Sequence, residues 1–250
     1  MARIYTKPED EKPKINKTAV LEFFEKRAEK VTTLGPVRAV IYQDKNADLA
    51  ERRDAAEKAR LLPLLKVDNS SRILDAGCGT GRWAEVLIPQ CALYFGIDVS
   101  AGLINIAIER FDNHNNAQFA VCPVDTLTKE KICIDQAFTH ILSFGVFIYL
   151  NDDEILDALR GYADVAAPGA LIMFREPIAL ENRLTLREHF SEDMDQQYSA
   201  IYRTEQELLS LIITVFGTTF TQVGTDDVYP DATLNNRTET KQKWFLWKKC

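Results

Sequence analysis

In the stretch Ile73-Leu74-Asp75-Ala76-Gly77-Cys78-Gly79-Thr80-Gly81, an acid and three alternate glycines close a short apolar run, and the next apolar run, Leu93-Tyr94-Phe95-Gly96-Ile97, ends in Asp98. Glycine is used where backbone must turn tightly or approach a ligand closely. The first run therefore reads as a buried strand, a ligand-facing turn and a helix start. A carboxylate at the C-terminal end of a parallel strand can accept both hydroxyls of a ribose, and Asp98 is the candidate for that role. As a helix N-cap alone it would leave the glycines unexplained. Strand, turn and acid together point to a nucleoside pocket.

Spacing selects among nucleosides. A dinucleotide fingerprint needs G-x-G-x-x-G, whose last glycine lets the helix pack on the strand while the helix N-terminus takes a pyrophosphate. Arg82 occupies that place here, which disfavours a nucleoside-binding oxidoreductase. Glycines at 77, 79 and 81 behind Asp75 suit a ligand with a cationic amino-acid end and no phosphates. The pattern resembles motif I of the class I S-adenosylmethionine (SAM) methyltransferases, and the resemblance extends over residues 20–250, strongest at 72–103 and 137–176.

The resemblance implies a set of cofactor contacts: Asp75, Gly77, Cys78, Gly79, Gly81, Asp98 and Val99 around the glycine turn. It assigns the adenine edge to Asp125, with Thr126 beside it, although many relatives carry the acid one or two residues earlier. It gives the methionine end to the loop that begins at Ser143-Phe144. The segment Phe23-Phe24-Glu25-Lys26-Arg27-Ala28 is similar to an aromatic-x-x-Arg-Ala lid, with Tyr42 following in the next loop; Arg27, or Arg53, then pairs with the cofactor's carboxylate. Many small-molecule relatives have histidine where Phe147-Ile148-Tyr149 stands. Its absence leaves Tyr149 to orient an acceptor.

The elements that must position these residues alternate. Strands are expected at 72–76, 93–98, 118–122, 137–144 and 170–175, with helices at 83–89, 102–111 and 152–165 between them, so the sheet is parallel and doubly wound. A helix at 205–215 precedes strands at 220–228 and 243–248. With no helix between them, that last pair must be antiparallel. The expected fold is α/β, a mostly parallel seven-stranded sheet with a C-terminal antiparallel hairpin and an N-terminal helical lid. Residues 1–17 read as a flexible arm, 18–66 as the lid, where Pro63 stops or kinks the second long helix, and 67–250 as the SAM-binding domain.

The link 176–204 is longer than an ordinary αβ connection, and such excess is usually functional. It reads as an acceptor-binding insertion carrying Glu176, Arg183, His189, Tyr198 and Arg203, with His189 on a polar helix. Glu176 ends a strand at the ligand-binding edge of the sheet. Glu176 or His189 supplies a base if the nucleophile starts protonated.

Composition sets limits. The chain has 250 residues, 46% hydrophobic and 27% charged, within the range of globular proteins. A net charge of −7 weighs against nucleic acid. The five cysteines show neither paired nor zinc spacing, which indicates reduced thiols and no metal. No apolar run is long enough to span a membrane, and the start lacks an apolar secretion segment, so the expected setting is cytoplasmic. The reading is a SAM-dependent methyltransferase acting on an O or N atom of a small molecule. Its competitors are a peptide or protein N-methyltransferase and a non-catalytic SAM-binding partner subunit.

Overall fold

The structure, a computed structural model, describes residues 2–235 and 237–250. The chain begins with β1 (Ala2–Thr6) and four helices, α1 (Lys17–Glu29), α2 (Val31–Leu34), α3 (Pro36–Ile41) and α4 (Ala47–Leu65). Then β2 (Arg72–Ala76), α5 (Ala84–Leu87), β3 (Leu93–Asp98), α6 (Ala101–Phe111), β4 (Ala117–Val121), α7 (Lys129–Ile132), β5 (Phe138–Phe144), α8 (Asp152–Val165) and β6 (Ala166–Ala179) alternate. The chain closes with β7 (Arg183–Ser191), β8 (Gln196–Tyr202), α9 (Glu205–Phe216), β9 (Phe220–Asp227) and β10 (Thr240–Lys249).

Seven strands form one sheet in the order β4-β3-β2-β5-β6-β10-β9. The first five are parallel and β10 runs antiparallel to both its neighbours. Successive strand side chains point to opposite faces. Thus Ile141, Ile172 and Phe174 enter one core with α8 and α9, while Leu142 and Met173 enter the other with Leu61 and Leu65 of α4 and Phe111 of α6. Strand order reverses between β2 and β5, so a crevice opens at the carboxyl ends of the strands there.

Local sequence sets the helix starts above that crevice. The side chain of Asn16 accepts from the backbone of Thr18 and Ala19, and that of Ser100 from Leu103; each satisfies first-turn N–H groups that have no intrahelical partner. Asn151 with Glu154 and Thr204 with Glu207 form capping boxes. In α4 the helix continues through Pro63 to Leu65. Proline removes one hydrogen bond in the last turn, and the complete burial of Leu61 and Leu65 offsets it.

Two regions differ from the sequence expectation. Residues 2–6, within the stretch read as a flexible arm, form a strand: β1 pairs antiparallel with β7, Ala2 opposite Arg187 and Thr6 opposite Arg183. The stretch read as a polar insertion with a helix is the hairpin β7–β8, which with β1 makes a second, three-stranded sheet. The physical reason is the alternation of apolar side chains, Leu184 and Leu186 on β7 and Tyr198, Ala200 and Tyr202 on β8, all of them buried. These side chains pack with Phe23 of α1 and Tyr149 in a third core that roofs the crevice.

Candidate active site

Two cavities meet at the crevice. The first, about 1000 Å³ with its mouth, is lined by Asp75, Gly77, Cys78, Gly79, Asp98, Val99, Asp125, Phe144 and Tyr149, and by Val20 and Phe24 of the helical lid. At its base Gly77 and Cys78 donate their N–H groups to the carbonyl of Ile97. All three glycines of the turn have positive φ, which side chains rarely adopt. Their surroundings differ. A Cβ on Gly79 would lie 3.2 Å from Val40 at the cleft, whereas one on Gly81 would lie 2.5 Å from the Phe111 ring. Gly81 therefore lets α6 pack and does not face the cleft.

Asp98 Oδ2 accepts the N–H of Gly79 at 2.9 Å and Oδ1 that of Ser100 at 2.9 Å. Asp98 lines the cleft, and a carboxylate has acceptor capacity beyond these two bonds for a ribose diol. Burial pushes Asp98 up to about 6. Asp75, which accepts the hydroxyl of Tyr94, is pushed up to about 6 in the same way. The Cys78 thiol is raised well above its usual value by burial, so it packs and does not act as a nucleophile. Asp125 is paired through Oδ2 with Lys17 of α1, while its buried Oδ1 has no partner in the protein. An unpartnered buried acceptor on a residue that lines the cleft fits the exocyclic amine of adenine.

Several expected cofactor residues lie elsewhere. Arg27 is fully buried, with Nη1 and Nη2 bidentate on Asp44 at 2.8 and 2.6 Å and Nε on the carbonyl of Ala39. It braces the lid and lines neither cavity. Thr126 is exposed and donates to Pro123. Ser143 lies in the core beneath the cleft, where it accepts the hydroxyl of Tyr162.

The second cavity, about 950 Å³, opens from the first across Tyr42, Phe144, Gly145, Tyr149 and Arg175, which line both. Its further walls include Arg53, Glu57, Tyr198, Tyr202, Tyr229 and Arg237. Tyr149 is packed among Phe23, Phe24 and Tyr42, with ring centres 6.0, 4.9 and 6.5 Å away. Its hydroxyl is within hydrogen-bonding reach of Tyr42, and burial raises both phenols, so they stay neutral. Although burial works to raise it, the guanidinium groups of Arg175 and Arg82 hold Glu57 down at about 2.

The insertion residues divide. Tyr198 lines the second cavity. Glu176 lines neither: it is 1% exposed, and Oε1 accepts from Val146 and Phe147 backbone at 2.9 and 3.0 Å. Facing away from the ligand space, it holds the loop that carries Tyr149, and burial pushes it up to about 7. Arg183 and Arg203 both grip Asp152 at the start of α8, and Arg203 adds the carbonyls of Phe147 and Leu150. They are buried braces. His189 lies on β7 outside both cavities, with burial lowering its pKa. None of these three can touch an acceptor.

Arg175 and Arg237 were missed. Arg175 stands beside Glu176 at the same strand end and points to the opposite face, so the positional argument applied equally to it. Arg237 lies in the β9–β10 connection and carried no signal in spacing or pattern.

Residues 73–169 match the family model described as a methyltransferase domain. The chain is similar to the malonyl-acyl-carrier-protein O-methyltransferase of Acetivibrio thermocellus, 32% identical over 112 residues that cover 43% of this chain and 38% of that protein. It is also similar to phosphoethanolamine N-methyltransferase 1 of Zea mays, 26% identical over 227 residues that cover 85% of this chain and 41% of that protein. The chain thus spans about two fifths of the length of these curated relatives. Among solved structures, phosphoethanolamine N-methyltransferase 1 of Haemonchus contortus, in complex with phosphoethanolamine and S-adenosylhomocysteine, has a TM-score of 0.70 at 17% identity over 94% of this chain and 50% of that one. At that identity the likeness is one of fold. Among the described residues no helix is long and apolar enough to cross a membrane, and no group of three or more His, Cys, Asp or Glu side chains is placed to hold a metal.

Proposed function

From a chain whose residues 73–169 match a methyltransferase domain, we propose an enzyme that moves a methyl group from SAM to the nitrogen of a small molecule held in the second cavity. The observation that carries this reading is the junction: Tyr42, Gly145, Tyr149 and Arg175 line both cavities, so two ligands can meet end to end there. Bound SAM supplies a methyl group on a sulfonium, a leaving group that needs no further activation.

The chain's own residues then bind, orient and exclude water. Asp98 takes the ribose, and the free Oδ1 of Asp125 takes the adenine amine. The neutral phenols of Tyr42 and Tyr149 accept an N–H of the acceptor and aim its lone pair. The lid side chains Val20 and Phe24 keep the junction dry. Alignment of this kind is worth roughly 7–11 kcal/mol at best. Because Glu176 and His189 stand outside both cavities, the acceptor enters as the free amine.

A nitrogen acceptor is favoured over oxygen by coverage. The match to the Zea mays N-methyltransferase extends over 85% of this chain, while that to the O-methyltransferase covers 43%. The second cavity is walled by residues from five chain segments, 40–57, 144–149, 175–177, 191–202 and 229–242; this enclosure favours a small molecule over a peptide. Incubation with methyl-labelled SAM and a panel of small amines, alcohols and phenols tests the reading. Labelled N-methyl product supports it. Label on alcohols alone would move the assignment to oxygen, and S-adenosylhomocysteine binding without transfer to any acceptor, or to cellular small-molecule extracts, would favour the non-catalytic subunit.

A further inference from the structure

Among the described residues that line both cavities, Arg175 alone carries a charge. Acids on α4 fix where the arginines of this wall lie. Glu57 faces Arg175 twice, with Oε2 at 3.0 Å from Nε and Oε1 at 3.3 Å from Nη2. The same carboxylate accepts Arg82 Nη2 at 2.5 Å, and Asp54, shared with Lys58, accepts Arg82 Nη1 at 2.7 Å. Arg82 thus has both terminal nitrogens committed to carboxylates. Arg175 does not: among the described residues its Nη1 makes one hydrogen bond, a long one of 3.4 Å to Oε1 of Gln242. That nitrogen sits against Gly145, where an added Cβ would lie 3.0 Å from it at a φ of +71°. Glycine there leaves room for the guanidinium at the junction.

The other cations of the crevice stand elsewhere. Lys17 pairs with Asp125, Arg27 lines neither cavity, and Arg53 lines only the second. With adenine at Asp125 and ribose at Asp98, the wall left for the amino-acid end of the cofactor includes Arg82, Trp83, Phe144, Gly145 and Arg175. A guanidinium nitrogen with a weak neutral partner gains by exchanging it for a carboxylate oxygen, because charge-assisted hydrogen bonds are the stronger ones. We propose that Arg175 recognises the carboxylate of the cofactor's amino-acid end, with Glu57 as the residue that positions it and Gly145 as the residue that gives it room. A carboxylate anchored there lies a short carbon chain from the sulfonium, so the same contact sets how far the methyl group reaches toward the second cavity. The contact requires SAM as cofactor and is independent of which acceptor is methylated.

The test is calorimetry on the full chain with SAM and with decarboxylated SAM, which lacks only the carboxyl group. SAM should bind about tenfold or more tightly, the effect of a hydrogen bond to a charged group. Arg175→Gln should remove most of that preference and Arg175→Lys should keep part of it, with affinity for decarboxylated SAM nearly unchanged in both. Gly145→Ala, which crowds Nη1, should lower the preference while Arg175 is intact. Circular dichroism checks each fold, and if Arg175→Gln does not fold, Arg175→Lys and Gly145→Ala decide by the same ratio. Equal loss of both ligands in Arg175→Gln would make the residue a support of the wall and overturn the carboxylate contact. So would a preference missing from the unaltered chain or undiminished in Arg175→Gln. A preference that survives there and vanishes in Arg53→Gln would return the carboxylate to α4.

Discussion

The carboxylate of Glu176 accepts the backbone N–H of Phe147 at 3.0 Å from behind the loop that carries Tyr149. Its second oxygen has no partner in the protein. Glutamine supplies the same acceptor oxygen and fills the second position with a neutral amide. Glu176→Gln should therefore keep kcat/KM within about tenfold, short of the 10²-fold or more lost with a positioned base. A loss of that larger size, with the fold intact by circular dichroism, would return Glu176 to the chemistry.

The same residue shapes stability against pH. Burial raises Glu176 from 4.5 to about 7, and Asp75 and Asp98 from 3.8 to about 6. Each is protonated more readily in the folded chain, so its contribution is full below the unfolded value and is lost as pH rises through the folded one. The ligand-free protein should lose thermal stability between about pH 4.5 and 7, and Glu176→Gln should flatten the upper part of that slope. Glu57 and Asp152, each held near 2, act in the opposite sense at lower pH. Melting curves across pH 5–8 decide this, and a midpoint that rises through the window would contradict it.

Affinity for S-adenosylhomocysteine should fall as pH drops through about 6, because Asp98 must be ionised to accept two hydroxyls. Asp98→Asn should weaken binding by roughly 1.5–3 kcal/mol, the scale of hydrogen bonds to a charged group, and reduce the pH dependence. Calorimetry at pH 5.5 and 8 measures both. Unchanged affinity in Asp98→Asn would move ribose recognition elsewhere.

Two glycines of one turn should separate binding from folding. Gly81→Ala places a methyl group against Phe111 at a left-handed φ, so it should lower the melting temperature and leave the affinity of the folded fraction nearly intact. Gly79→Ala faces the cleft and should weaken S-adenosylhomocysteine more than it lowers stability. Reversal of that pattern in paired melting and binding measurements would mean that the turn is oriented otherwise.

Arg203→Ala removes the donor to Asp152 and to the carbonyls of Phe147 and Leu150. Arg183 still pairs with Asp152, so the loss is that of hydrogen bonds to buried carbonyls and one charged partner, about 1–3 kcal/mol, and urea unfolding should shift by that amount. A change under about 1 kcal/mol would show that the brace is dispensable.

The cofactor half was legible in the chain because its information is local. The glycine turn, the acid at 98 and the strand runs each lie within one short window, and all seven strands of the main sheet stand where alternation put them. The acceptor half depends on contacts between distant windows. Nothing near Arg27 announces that Asp44 will take two of its donors, and nothing near Arg183 or Arg203 announces Asp152. Likewise β1 is unreadable alone, since five residues become a strand only when β7 lies beside them. The hairpin was readable in principle from the alternation Leu184, Leu186 and Tyr198, Ala200, Tyr202. The charged residues between them masked it as polar.

The pairing of Ala2 with Arg187 also bears on biosynthesis. The first strand leaves the ribosome long before its partner exists, and the seven-stranded sheet is still missing its last two strands when that partner arrives. Through most of translation β1 is an unpaired edge, the kind of segment that templates association between chains. The stretch that follows it, Lys7-Pro8-Glu9-Asp10-Glu11-Lys12-Pro13-Lys14, is made of charges and prolines, which break such templating. Charges and prolines beside an edge oppose such pairing, so substitution of this run by apolar residues should be felt in soluble yield before it is felt in turnover.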